Sequence, residues 1–272
     1  MKSEKLLHFA SKTADGKSEY FGYCVRERRD VLTVFKDFGI STDVPLAYLI
    51  QGIGRQRPRE FSISSAYQTD ADGKVATDLT MLVTEFETKF KRQITGICSG
   101  WLRSLTPLQG DSIPVWLKKG SMTFPEGKPL IMVGPGTGVA AFRAVIQQFR
   151  DSGQQLVLIF GCRSQEADYY YAQEWEQLKA QGVKLEVITA FSRDKPDEGK
   201  VYVQHKIREN AGMLGELIVK QDANIYVSGK AKFMPTSVEK AFSEVVQGIL
   251  GQPGDNYITN MRKSGRYQQE VW

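Results

Sequence analysis

The stretch Leu130-Ile131-Met132-Val133 runs without a polar break into Gly134-Pro135-Gly136-Thr137-Gly138, and an amphipathic pattern begins at Val139. A short all-apolar run suits a strand buried on both faces, as in a parallel sheet covered by helices. Glycines after the strand let the backbone turn tightly and approach a ligand, and a following helix start offers unpaired N–H groups. The glycine spacing departs from the GxGxxG dinucleotide fingerprint. A plain glycine-rich β–α turn has the same composition, and the strand-loop-helix context is what favours ligand binding.

The same alternation continues along the chain. Apolar runs at 155–160, 184–189 and 224–227 are separated by helical patterns at 139–150, 166–181 and 202–220. This predicts a doubly wound α/β domain over 124–272. Upstream the period changes. Residues 60–66, 78–88 and 113–118 have strand composition, with Asp72-Gly73 in a turn, so 57–123 reads as antiparallel β. Stretches 3–11, 20–26, 30–38 and 45–53 carry apolar residues at helical spacing, with Asp30 and Ser41/Thr42 as helix starts, which makes 1–56 a helical segment.

Composition narrows the function classes. The chain has 272 residues, 41% hydrophobic and 25% charged, values typical of globular proteins. No apolar run reaches the roughly 18 residues that a membrane span needs, and no secretory leader pattern opens the sequence. Cys24, Cys98 and Cys162 are too few and too scattered for a disulfide framework, which fits a reducing cytoplasmic location. Two histidines without clustered cysteines argue against a structural zinc site. The net charge of +5 does not make a nucleic-acid binder, although a basic face suits an acidic redox partner.

Three other clusters carry chemistry. Phe191-Ser192-Arg193 and Lys200-Val201-Tyr202-Val203-Gln204 follow the 184–189 strand. Arg supplies a bidentate fork, Lys a point charge and Tyr a stacking face with a hydroxyl, a set suited to the 2′-phosphate of an adenosine ribose. An ordinary solvated basic loop shares that composition. Around 59–62, Arg59 suits a pyrophosphate, Ser62 a flavin ring nitrogen and Phe61 the flavin face, unless Phe61 is simply core. Gly96-Ile97-Cys98-Ser99 reads as a second phosphate turn at a helix start. No histidine accompanies Cys98, so it is a small apolar filler rather than a nucleophile. His205 reads as surface or filler. Trp272, the last residue, suits an aromatic lid.

Taken in order, these motifs resemble the reductase half of the diflavin reductases, and the resemblance covers essentially the whole chain. It is closest to the branch serving cytosolic iron–sulfur protein assembly, with Phe61 where cytochrome P450 reductase has Tyr. The resemblance implies a helical segment, a partial antiparallel FAD-binding barrel and a doubly wound NADP-binding domain of the ferredoxin-NADP reductase type. It implies that Arg59, Glu60, Phe61 and Ser62 bind FAD, that Gly96, Ile97, Cys98 and Ser99 hold its pyrophosphate, and that Arg26 meets its adenine end. It implies NADPH contacts from Thr137, Ser192, Arg193, Lys200, Val201, Tyr202, Val203 and Gln204. Catalytic roles fall to Ser62, Glu270 and Trp272, which covers the flavin and swings away for nicotinamide. The implied partners are a flavodoxin-like FMN domain, lying outside these residues together with the first barrel strands, and an anamorsin-like iron–sulfur assembly protein. Departures from P450 reductase are Ser228 for a Cys, Glu270 for an Asp and Ser237 for an Asp. A sulfite reductase flavoprotein, a P450 reductase-type transferase and a truncated, non-catalytic nucleotide- or partner-binding module are the alternatives.

Overall fold

A computed structural model describes residues 2–40, 44–106, 110–195, 197 and 199–272. The expected helix start at Ser41/Thr42 lies outside the described residues. The chain divides into two compact units, one of residues 1–60 with 81–114 and one of 61–80 with 115–272.

The second unit is built on a five-stranded parallel sheet. Its strands are β5 (Leu130–Val133), β6 (Leu156–Cys162), β7 (Leu185–Phe191), β8 (Asn224–Gly229) and β9 (Tyr267–Val271), in the order β7-β6-β5-β8-β9. Alternate side chains of one strand enter different cores, as the two-residue period demands. Leu130 and Met132 pack with Phe142, Trp175 and Tyr226 on one face, whereas Ile131 and Val133 pack with Ile207, Leu214 and Phe242 on the other. Helices α6 (Val139–Phe149) and α8 (Ala172–Ala180) cover the first face. Helices α9 (Val203–Glu209), α10 (Ala211–Lys220), α11 (Met234–Leu250) and α12 (Gly254–Lys263) cover the second. The doubly wound architecture is therefore as expected.

Several local expectations are corrected. The helix expected over 166–181 is broken: a short α7 (Gln165–Asp168) precedes α8, and Tyr171 between them takes a left-handed φ of 62°. The helix expected over 202–220 is likewise two, α9 and α10, parted at Asn210 (φ −102°). Helices α11 and α12 were not anticipated. α11 has Pro235 in its first turn and stops at Gly251, both ordinary helix signals.

Within the same unit, 61–80 forms a small antiparallel ribbon, β1 (Gln68–Thr69) with β2 (Val75–Ala76). Asp70 Oδ1 accepts from the Asp72 and Lys74 amides at 3.0 and 2.8 Å, so Asp70 closes the turn that contains Asp72-Gly73. Ile63 and Leu79 extend the pairing as a single bridge. Residues 113–118 are not a strand. Val115, Trp116 and Leu117 are exposed, and among the described residues the stretch pairs with no neighbouring strand.

The first unit holds α1 (Lys2–Ala10), α2 (Ala14–Tyr20), α3 (Val31–Phe38), α4 (Leu46–Gly52), the hairpin β3 (Glu85–Glu87) with β4 (Gln93–Thr95), and α5 (Ile97–Ser104). A π-helical turn, Phe21–Val25, continues α2. Asp30 caps α3 by accepting from the Thr33 amide at 2.7 Å. The rings of Phe9, Tyr23 and Phe38 pack at centroid distances of 5.2 to 6.1 Å. The expected helical segment is present; of the stretches expected as strands, 60–66 contributes only the Ile63 bridge, 78–88 contributes the Leu79 bridge and β3, and the hairpin partner β4 lies beyond them. Among the described residues, no helix is long and apolar enough to cross a membrane.

Candidate dinucleotide and flavin residues

The chain winds outward from β5 through β6 to β7 and then returns to β8 on the opposite side of β5. The crevice beyond β5 and β8 is thus the switch point, where open α/β sheets bind ligands. The Gly134–Gly138 loop leaves β5 at that point. A Cβ on Gly138 would lie 2.2 Å from the Ser228 carbonyl oxygen, so the start of α6 is in backbone contact with the tip of β8. Gly136 has φ +58°, and a Cβ there would meet nothing within 4 Å, which leaves its face of the loop open. α6 then begins with no side-chain cap at Gly138. The Gly134, Gly138 and Val139 amides are taken by the Ile159, Pro135 and Gly136 carbonyls, so it is the open backbone around Gly136 that fits a dinucleotide pyrophosphate. Thr137 is half-buried in this turn.

The other expected nucleotide residues lie beyond β7. Ser192 donates through both its amide and Oγ to the Cys162 carbonyl, at 3.0 and 3.2 Å. The Arg193 amide donates to the Arg163 carbonyl at 2.8 Å. The tips of β6 and β7 are thereby joined, with the Arg193 side chain exposed. Arg163 closes a fork on Asp168, Nε to Oδ2 at 3.0 Å and Nη2 to Oδ1 at 3.1 Å. That hydrogen-bonded fork holds the Asp168 carboxyl below the ordinary aspartate range. Burial pushes the Cys162 thiol up to about 12, which keeps it protonated and unreactive. Tyr202 is the N-cap of α9, with Val203 buried, Val201 and Gln204 half-buried, and Lys200 exposed. His205 is exposed, in keeping with the surface reading, and is also a cap partner. Its Nδ1 accepts from the Tyr202 amide at 3.2 Å, while its own amide donates to the Tyr202 carbonyl at 2.9 Å.

β9 brings the C-terminal residues to the same sheet edge. Glu270 pairs in register with Ser228, and Val271 with Gly229. The Ser121 hydroxyl donates to Glu270 Oε2 at 2.9 Å. The Trp272 amide donates to the Gly229 carbonyl at 3.1 Å and its carbonyl accepts from Ala231 at 2.8 Å, while the residue is 56% exposed. The main chain of Trp272 is therefore pinned, and its ring is the part free to turn.

The expected flavin residues fall in both units. Phe61 and Ser62 are half-buried in the second unit. Arg59 and Glu60 are exposed in the first, where Arg59 donates to the Arg57 carbonyl. In that unit Gly96 stands at the start of α5 without a side-chain cap. Ser99 Oγ accepts from the Thr84 amide at 3.1 Å, which ties the helix start to the chain entering β3. Ile97 is exposed and Cys98 half-buried. The Gly96 amide donates to the Thr84 carbonyl at 2.8 Å, and the start of α5 beyond it, without a side-chain cap, fits a phosphate. Arg26 closes the π-helical turn, its guanidinium 5.9 Å from the Phe21 ring centre. Arg163 and Arg143, both placed against these motifs, went unnoticed in the sequence because each is joined to them only by tertiary contacts.

Comparison with known proteins agrees with this arrangement. Residues 1–101 match the FAD binding domain family and 132–240 match the oxidoreductase NAD-binding domain family. The chain is 41% identical over 279 residues to NADPH-dependent diflavin oxidoreductase 1 of Xenopus laevis, covering 100% of this chain and 45% of the relative. The Arabidopsis thaliana protein of the same name is 38% identical over 285 residues, covering 99% and 44%. NADPH–cytochrome P450 reductase of Sus scrofa is 32% identical over 284 residues, covering 99% and 41%. The chain thus spans less than half the length of these relatives. Full-length alignment of the chain to proteins of this kind, with both nucleotide-binding family matches in order, places it in the diflavin reductase family as a homologue of the FAD- and NAD-binding portion.

Proposed function

We propose that this chain is the reductase portion of a diflavin oxidoreductase, in which NADPH reduces FAD and the electrons pass on to FMN and then to an iron–sulfur assembly protein in the cytoplasm. The observation that carries this reading is the switch point itself: the open Gly134–Gly138 loop, the Ser192/Arg193 tip and the pinned Trp272 all belong to one sheet. The names of the diflavin relatives support NADPH as the coenzyme.

NADPH supplies a hydride and FAD accepts it, and the protein binds, orients and shields them. The Gly134–Gly138 loop and the first turn of α6 bind the coenzyme pyrophosphate, with Thr137 in the same turn. Arg193 and Lys200 neutralise the 2′-phosphate, Ser192 and Tyr202 hydrogen-bond it, and Val201, Val203 and Gln204 fix the Tyr202 cap. Arg59 and the Gly96–Ser99 turn hold the flavin pyrophosphate, Glu60 and Phe61 flank the ring, and Arg26 meets the adenine. Ser62 presents its hydroxyl to the reacting flavin nitrogen. Glu270 balances charge there, and the Trp272 ring keeps water off the flavin until nicotinamide displaces it.

Ferricyanide reduction by the FAD-supplemented chain tests the reading. NADPH-dependent turnover is expected. FAD binding without turnover would favour a nucleotide-binding module instead.

A further inference from the structure

Arg143, on the second turn of α6, is held by partners from several elements. Its Nε donates to both Glu174 oxygens at 3.0 and 2.7 Å. Its Nη1 donates to Asp78 Oδ2 at 2.8 Å and to the Ser64 carbonyl at 2.9 Å. The guanidinium also lies 4.5 Å from the Tyr171 ring centre, and the side chain is only 13% exposed. Gln147, one turn further along, repeats the pattern. Its Nε2 donates to Glu174 Oε1 at 2.7 Å and its Oε1 accepts from the Ala66 amide at 2.9 Å. The Tyr171 and Thr80 hydroxyls bond as well.

Four of these contacts, to Ser64, Ala66, Asp78 and Thr80, grip 61–80, the segment that carries Ser62, while Glu174 and Tyr171 brace the gripping side chains from α8 and its start. The segment's own pairing is a two-residue ribbon and one bridge, flanked by the Ser64 amide on the Asp78 carbonyl at 2.8 Å and the Asp78 amide on Ser65 Oγ at 2.9 Å, and the buried Ser64 Oγ has no hydrogen-bond partner among the described residues. The Ser64 carbonyl, by contrast, is held from α6. That helix starts at the Gly134–Gly138 loop, and Arg143 stands about 6 Å along the axis from Val139 at 1.5 Å per residue. One helical turn and one guanidinium therefore connect the coenzyme loop to a point two residues from Ser62. Only a planar fork can meet a carboxylate, a second carboxylate and a carbonyl together while stacking on a ring.

We propose that Arg143 is a positioning residue for flavin reduction, one that sets Ser62 in register with the coenzyme loop. The proposal rests on the reductase reading above. It has two readouts. In the flavin-free protein, hydrogen exchange of the 62–66 amides should be at least about tenfold faster in Arg143→Gln, with β5 and β6 unchanged. In the FAD-loaded protein at saturating NADPH, flavin reduction should slow roughly tenfold to a hundredfold, as small misplacements of reacting groups do. NADPH affinity should stay within about twofold, with Arg143→Lys intermediate. Unchanged exchange at 62–66, exchange raised equally across the whole sheet, or an unaltered reduction rate would each overturn the proposal. Should Arg143→Gln not fold, Asp78→Ala removes one half-exposed partner, and no change in either readout would overturn it equally. If the wild type is not reduced by NADPH, the reductase reading fails, while the exchange result still decides whether Arg143 fixes the Ser62 segment.

Discussion

Gly138 and Ser228 touch backbone to backbone, with no room for even a methyl group at Gly138, since a Cβ would lie 2.2 Å from the Ser228 carbonyl oxygen. The obstacle is main chain, so no side-chain rotation relieves it. Gly138→Ala should cost about 1–3 kcal/mol of stability, the usual range for overpacking a tight site. It should also weaken NADPH binding by moving the phosphate loop. Urea unfolding and coenzyme titration measure both. An alanine variant with wild-type stability would show that the start of α6 does not press on the Ser228 carbonyl.

Arg193→Ala should discriminate between coenzymes. The Arg193 main chain is fixed by the Arg163 carbonyl, so the substitution removes the charge and leaves the loop in place. A lost charge-assisted phosphate contact costs about 1.5–3 kcal/mol, which is roughly tenfold to a hundredfold in affinity. That loss should appear for NADPH and be nearly absent for NADH. Equal losses would remove Arg193 from the 2′-phosphate site.

Trp272→Ala should narrow the preference for NADPH over NADH. Substitution, unlike deletion, keeps the main-chain bonds to Gly229 and Ala231. Coenzyme must displace the ring, and NADH has less binding energy available for that without the 2′-phosphate contacts. kcat/KM for NADH should therefore rise more than for NADPH. An unchanged ratio together with unchanged flavin fluorescence would mean the ring does not cover the flavin.

The Arg163–Asp168 fork predicts a pH signature. Asp168 is held below its ordinary value of 3.8, chiefly by the hydrogen bond from Arg163. A carboxyl with a lowered folded-state pKa adds stability that is fully present above its unfolded value and is lost as pH falls through the folded one. Asp168→Asn should thus be less stable than wild type at pH 7, and the two should converge below about pH 4. Urea midpoints against pH provide the check. A gap that persists undiminished in acid would assign the loss to packing instead of charge.

What was legible in the sequence follows from how local each signal is. Leu130–Val133 could be read because every residue of it is buried, and Asp30 could be read as a cap because its partner is three residues away. α11 carried a readable helical stripe, Val238, Ala241, Phe242, Val245 and Val246, and was missed nonetheless. The stretch 113–118 misled because strand composition says nothing about whether a neighbouring strand exists. The Tyr171 break is fixed by tertiary contacts with Arg143 and Thr80, which no window around Tyr171 contains. Among the site residues, the glycine loop and the basic β7 tip were visible as composition. Arg143 was not, since its partners Ser64 and Asp78 lie 79 and 65 residues away.

The most direct measurement is anaerobic stopped-flow mixing of the FAD-loaded protein with NADPH, followed at the flavin band at about 450 nm. The account predicts rapid loss of that absorbance with NADPH and a slower loss with NADH at the same concentration. Flavin absorbance that stays unchanged after mixing with saturating NADPH would contradict it.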